Sequence, residues 1–276
     1  MKKESYPLSP LQQGMLFHKL AAPASGVDVE QIFCRLREDL DIAALERAWQ
    51  RVVDRQDVLR TTFHWQGLAS PCQSVQSHAA IEFQVSDWRA QSRPEQEKLF
   101  EAALQNDRRR GFDLSENPPN RVALFRLGDA DYQMLWTFHH LLFDGRAVVM
   151  VFNEVFAFYE AIVRGEDLEL PPPLPYRDYV DWLGRLDLSP AEQFWRQTLK
   201  GFTAPTPVSV AKISENETGL ENLPGEQQIG LTESVTAALK SLARKNGFTP
   251  NTLLQGAWAL LLSRYSREND VVFGAI

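Results

Sequence analysis

The spacing of apolar residues along the chain switches repeatedly between a period of two and a period near 3.6, which separates strands from helices. Ser9 followed by Pro10 has the form of an N-cap with proline at the first helical position. It predicts a helix over LQQGMLFHKL, with Leu11, Met15 and Phe17 partly buried. From Val29 to Leu36, apolar side chains alternate with polar ones, the mark of a half-buried strand. Asp41 opens an amphipathic helix, IAALERAWQRVVDR, in which Leu45, Trp49 and Val52 recur at helical spacing. Val58 to Trp65 reads as a strand, and Ser74 to Val85 holds further strand. Pro94 begins another helix, EQEKLFEAALQNDRR, and its Arg108-Arg109-Arg110 end is a solvated terminus favoured by the helix dipole rather than a docking patch. Arg121 to Leu127 and Tyr132 to Phe138 read as two strands joined by the turn GDAD. After Gly145, RAVVMVFNEVFAFYEAIVRG is apolar around much of its surface and predicts a buried helix. At that spacing Phe152, Phe156, Phe158 and Tyr159 belong to a core rather than to a substrate channel.

The pattern breaks at Leu168 to Pro175, where prolines at 171, 172, 173 and 175 favour an extended connector. Helices are predicted around 176–183, 190–199, 232–246 and 250–265, with a polar loop at 204–228. There is no internal repeat and no low-complexity tract. Asp270 to Ile276 reads as a strand with no turn or polar tail after it. An unpaired apolar strand edge invites aggregation, so the pattern predicts a truncated chain. Strands and helices mixed in this order imply an α/β (α+β) fold, a mixed sheet with flanking helices.

Composition narrows the function classes. The chain has 276 residues, 44% hydrophobic, enough for a packed core and long enough for two lobes. Its net charge of -7 disfavours nucleic acid and anionic membrane surfaces, which call for clustered Lys and Arg. Two cysteines, Cys34 and Cys72, cannot build a disulfide framework or a four-ligand zinc site by themselves. The N-terminus lacks the apolar stretch of a secretory signal, and Leu253 to Leu262 is too short to span a bilayer. These features predict a cytoplasmic protein.

One constellation carries chemistry. In YQMLWTFHHLLFDG, His139 and His140 end a predicted strand, and Asp144-Gly145 turns into the long helix. Neighbouring residues on a strand point to opposite faces, so one ring should enter a cleft while the other packs behind it. A neutral imidazole can accept a proton near neutral pH. Asp144 could orient a ring or pair with an arginine, and Gly145 permits backbone shapes that other residues resist. A lone histidine on an apolar strand is a core residue by default. The whole pattern, His-His-x-x-x-Asp-Gly between strand and helix, points to function.

HHLLFDG resembles the HHxxxDG signature of condensation domains from non-ribosomal peptide synthetases, within the chloramphenicol-acetyltransferase-like superfamily. SPLQQGMLF at residues 9–17 is similar to the family's opening motif, and RQDVLRTTF at 55–63 to its RHxxLRTxF stretch. Tyr176-Arg177-Asp178-Tyr179 with Trp182 resembles YxDYxxW, and NDVVFG at 269–274 the start of a further motif. Gln56 departs from the usual His, and Arg146 from a common Trp. The resemblance implies an acetyltransferase-like lobe over 1–175, then connector helices and the incomplete start of a second similar lobe over 176–276.

It also implies roles. His140 would be catalytic, His139 structural, and Asp144 salt-bridged to an arginine, with Arg60 the first candidate and Arg55 the second. Gly145 would complete the turn. The reaction would join a carrier-bound amine to a carrier-bound thioester as an amide. No metal and no intrinsic cofactor are implied, since phosphopantetheine arrives on donor and acceptor peptidyl carrier proteins. An adjacent adenylation domain and the missing C-terminal lobe would be further partners. The rivals are a related acyltransferase, CoA-dependent or ester-forming, an epimerisation-type domain, and an inactive fragment or carrier-docking module. Cyclisation domains are disfavoured, because they usually replace the two histidines with acidic residues.

Overall fold

The computed structural model describes residues 5–22, 26–207 and 229–275. They divide into two compact units, 1–186 and 187–276. The first contains a four-stranded mixed sheet built from β2 (Val29–Leu36), β5 (Glu82–Asp87), β6 (Asn120–Gly128) and β7 (Asp131–His139). Its order is β2-β7-β6-β5, antiparallel except for the parallel pair β5–β6. The parallel step requires a crossover, which α3 (Arg93–Arg110) supplies. A smaller antiparallel sheet joins β1 (Ser5–Pro7), β4 (Cys72–Val75) and β3 (Thr61–His64) in the order β1-β4-β3.

Two helices, α2 (Ile42–Arg55) and α4 (Gly145–Val163), pack side by side over one face of the larger sheet. Asp41 caps α2 through a 2.9 Å bond from the Ala44 amide, and Leu45, Trp49 and Val52 are fully buried, as their spacing predicts. The Trp49 ring lies 5.1 Å from that of Trp136 on β7, and Phe152 of α4 closes the cluster. On the opposite face, Phe100 of α3 sits edge-on to Phe33 and Phe125. Phe158 and Tyr159 are core and Phe152 and Phe156 pack against it, whereas Val149 and Met150 leave an exposed flank on α4.

Several local expectations change. In α1 (Pro10–Ala21), Gln12 and Leu16 face inward while Leu11 and Phe17 are exposed. Ser9 and Gln12 form a reciprocal capping box, which fixes the helix rotation so that residue 12 and its i+4 neighbour share the inner face. The stretch read as one strand from Val58 begins instead as a 3-10 turn, Asp57–Arg60, and becomes β3 only at Thr61. Arg60 drives that turn by reaching back along its own segment to Val53 O and Asp57.

The connector 168–175 forms no helix or strand, and α5 (Tyr176–Leu183) follows it within the first unit. The second unit holds α6 (Ser189–Thr198), α7 (Glu233–Lys245) and α8 (Pro250–Ser266). Residues 271–275 are not a strand, since no neighbouring strand pairs with them among the described residues. Val272 instead bonds through its amide and carbonyl to the Thr206 hydroxyl. Most of the polar loop at 204–228 lies outside the described residues.

Candidate functional site

The residues of HHLLFDG are placed by the end of β7 and the start of α4. β7 ends at His139, which shares the sheet face of Leu135 and Thr137, the face that meets α3 through the Thr137 hydroxyl and Asp107. His139 is buried, and its Nδ1 accepts the Leu141 amide at 3.2 Å. The ring proton therefore sits on Nε2, which has no hydrogen-bond partner among the described residues. Burial, then the positive charge of Lys19 and the neighbouring His140, pushes the His139 pKa down to about 4. Protonation would also set a second N–H against the Leu141 amide. His139 is thus a neutral ring that packs and holds the turn.

His140 leaves the strand and is half-buried. Its amide donates to Asp28 O at 2.8 Å, so the backbone stays pinned to the sheet edge. Its Nδ1 lies 2.9 Å from Phe143 O. A carbonyl only accepts, so Nδ1 carries a proton, and in the neutral ring the lone pair lies on Nε2. Phe143 holds that carbonyl steady, because its ring packs 4.5 Å from Phe138 and 5.3 Å from Trp136. Leu141 and Leu142 are buried, and the Leu142 amide closes the turn onto His139 O. The arrangement commits Nδ1 to Phe143 and leaves Nε2 as the ring nitrogen that can accept a proton or hydrogen-bond a nucleophile.

The expected partner of Asp144 is corrected. Asp144 is exposed and serves as the N-cap of α4, its Oδ1 accepting the Arg146 and Ala147 amides at 3.1 Å each. Arg60 is not its partner. The guanidinium of Arg60 is held by Val53 O at 3.0 Å, by Asp57 at 2.7 Å and by Gln76 O. Arg55 is engaged as well, bonding Glu154 on α4 at 3.2 Å and the connector carbonyls of Leu170 and Pro171. Gln56, in place of the usual His, donates to the same Glu154 at 2.8 Å. Both arginines therefore clamp α2 to its surroundings, and Asp144 acts through helix capping. Gly145 opens α4 with an ordinary negative φ, and a Cβ there would meet nothing within 4 Å, so the backbone does not require glycine.

Sequence reasoning gave no site role to Gln12, which bonds this loop directly, or to Gln73 and Tyr176 behind it. Gln12 donates from Nε2 to Leu141 O at 2.9 Å, and it pairs with Gln73 of β4. The Tyr176 hydroxyl reaches Ser9 Oγ at 3.2 Å, tying α5 to the same cap. The Ser9-x-x-Gln12 spacing is a capping-box signal and could have pointed to Gln12. Nothing local in the sequence marks Gln73, because its partner lies 61 positions away.

A family model described as Condensation domain matches residues 2–276. One of the proteins that make up linear gramicidin synthase in Brevibacillus parabrevis is 45% identical over 272 residues, 98% of this chain and 4% of that protein. Bacitracin synthase 1 of Bacillus licheniformis is 32% identical over 271 residues, 98% of this chain and 5% of that protein. The chain thus spans only a small part of the length of these relatives. The first condensation domain of the calcium-dependent antibiotic synthetase, in complex with substrate analogue 2a, aligns with a TM-score of 0.77 at 18% identity, over 99% of this chain and 66% of that one. The starter condensation domain of rhizomide synthetase RzmA aligns at 0.68 and 19% identity, over 99% and 63%. At these identities the structural likeness speaks for the fold, and the family match is carried by the sequence. Running across the capped α1, the histidine loop and the α5 motif alike, that match makes the chain a member of the condensation-domain family.

Proposed function

We propose that this chain forms an amide bond by bringing a carrier-bound amine to a carrier-bound acyl or peptidyl thioester, with His140 beside the reacting nitrogen. The observation that carries the reading is the His140 tautomer. With Nδ1–H given to Phe143 O, only Nε2 is left to receive a proton. The amine nitrogen attacks the thioester carbonyl carbon and forms a C–N bond. The resulting tetrahedral adduct carries a protonated nitrogen, which passes its proton to Nε2. The C–S bond then breaks, and the departing sulfur takes up a proton. An α-amino group has a pKa of about 7.7–8.0, so a useful fraction is neutral before attack. His140 is therefore needed for proton removal during bond formation, or for orienting the amine, each worth roughly 10²-fold or more.

Asp144 supports the reaction only through the start of α4, and His139 only through the turn. The thioester arms are phosphopantetheine groups on donor and acceptor carrier proteins, and an adenylation domain supplies the acceptor. The relatives are named as synthases of linear gramicidin and of bacitracin, which fits assembly-line peptide synthesis.

The test presents one N-acetyl-aminoacyl group to the full-length protein twice, on a carrier protein and on CoA, with an aminoacyl-loaded acceptor carrier. Mass spectrometry should find amide on the acceptor arm from the carrier-bound donor. Product from the CoA donor alone, or an ester product, would overturn the reading in favour of a related acyltransferase. In the same assay, His140→Ala should lose most product, whereas His139→Ala should mainly lower thermal stability.

A further inference from the structure

We infer that Gln12 is a positioning residue for the loop that carries His140, acting through the carbonyl of Leu141. The inference rests on the role proposed above for His140. Gln12 and Gln73 are buried, 5% and 1% exposed, and they face each other as a reciprocal amide pair. Gln12 Nε2 donates to Gln73 Oε1 at 3.1 Å, and Gln73 Nε2 returns a bond to Gln12 Oε1 at 2.9 Å. The second proton of Gln73 goes to Pro7 O at 3.1 Å, and Gln12 Oε1 also accepts the Ser9 amide at 3.0 Å. That leaves one proton on Gln12 Nε2, and it goes to Leu141 O at 2.9 Å.

Every N–H of the two side chains therefore has an acceptor. A buried polar network satisfied in this way has one low-energy arrangement and resists displacement. A methyl group would have filled the space without that directionality.

The place where the network ends matters more than its stability. Leu141 is held on both sides, its amide by His139 Nδ1 and its carbonyl by Gln12. It lies between His140 and Phe143, the two residues whose bond sets the His140 tautomer. Rotating the peptide that carries the Leu141 carbonyl would move Phe143 O relative to Nδ1 and swing Nε2. Misplacement by about 1 Å at a reacting group can cost on the order of 10²-fold in rate. Gln73 has no bond to the loop. Its loss should weaken the pair while leaving Gln12 able to reach Leu141.

Four forms of the full-length protein test this: the parent, Gln12→Ala, Gln73→Ala and His140→Ala. The probes are an N-acetyl-aminoacyl donor and an aminoacyl acceptor on carrier proteins, and thermal midpoints are recorded alongside. Both glutamine variants cut the same buried pair, so their midpoints should fall by similar amounts. Turnover should separate them. Gln12→Ala should lower kcat by about ten- to a hundred-fold, with KM for the acceptor carrier within about twofold, and Gln73→Ala should stay within about threefold of the parent.

Turnover that tracks the midpoints equally in both, or parental kcat in Gln12→Ala, would overturn the inference. If either variant fails to fold, methionine, close in shape to glutamine, takes the place of alanine at the same position. Gln12→Met has no N–H to donate to Leu141 O at any pH, so it should show the same kcat loss. Parental kcat there contradicts the inference. His140→Ala separates the two levels of failure. If it keeps parental turnover, the proposed function falls and the inference with it. If it is inactive while Gln12→Ala is unimpaired, the inference alone falls.

Discussion

His139 and His140 are neighbours with the same side chain, and their surroundings divide the labour between them. His139 is sealed in the sheet as a neutral ring, with its pKa depressed to about 4 from the ordinary 6.5. The folded state then binds fewer protons than the unfolded state between those values, so stability rises with pH across that window. Acidification from about pH 6.5 to 4 should remove on the order of 3 kcal/mol of folding free energy through this group. Denaturant titrations at stepped pH would measure it. His139→Asn keeps an acceptor near the Leu141 amide but cannot titrate, so its stability should change less steeply over the same window. An unchanged slope would mean another group causes the acid sensitivity. At this scale the sequence marked the pair through its motif, whereas the expected reason for their divergence, strand alternation, does not apply, because the strand ends at His139 and His140 lies in the turn after it. The sequence did not identify the tautomer, which depends on a carbonyl three residues on.

Helix termini carry more of the site than ion pairs do. Asp144 holds the first turn of α4, and Arg60 holds the 3-10 turn before β3. Asp144→Ala should therefore cost about 1 kcal/mol, and Asp144→Asn, a good cap in its own right, much less. Because Arg60 and Asp144 share no partner, combining Arg60→Ala with Asp144→Ala should give losses that add within about 0.5 kcal/mol. A coupling well above that value in chemical denaturation would restore the salt bridge expected from family resemblance. The helices and most strands of the first unit were legible because their signals are local: an Asp41 cap, a Pro94 start, a two-residue period from Val29. The rotation of α1 was not. Leu11 and Phe17 look like core residues by type, and only the Ser9–Gln12 capping box and the distant Gln73 turn the polar side inward. Arg60 was misassigned for a related reason, since an arginine in a motif does not state which carboxylate it will face.

Across the whole molecule, apolar burial is uneven. The connected core runs from Leu8 to Tyr159, entirely inside the first unit. In the second unit, Ala243 and Leu262 are the only buried apolar residues among those described, while Phe194, Trp195, Trp258 and Leu260 are exposed. Residues 1–186 alone should therefore unfold in one cooperative transition, and residues 187–276 alone should show none in calorimetry. A cooperative melt from the second fragment would contradict that distribution of burial. The α/β class and the proline-rich connector could be read from pattern. The expected strand after Asp270 could not, because a strand exists only where a neighbour pairs with it.

In the proposed mechanism Nε2 of His140 serves the reacting amine while Nδ1 is committed to Phe143. His140→Asn tests it most directly, since the asparagine amide can still donate to Phe143 O but offers nothing in place of Nε2. In single-turnover assays with both carriers loaded, amide formation should slow by about 10²- to 10⁴-fold, with the thermal midpoint near that of the parent. Amide formation at the parental rate in His140→Asn would rule out that role for Nε2.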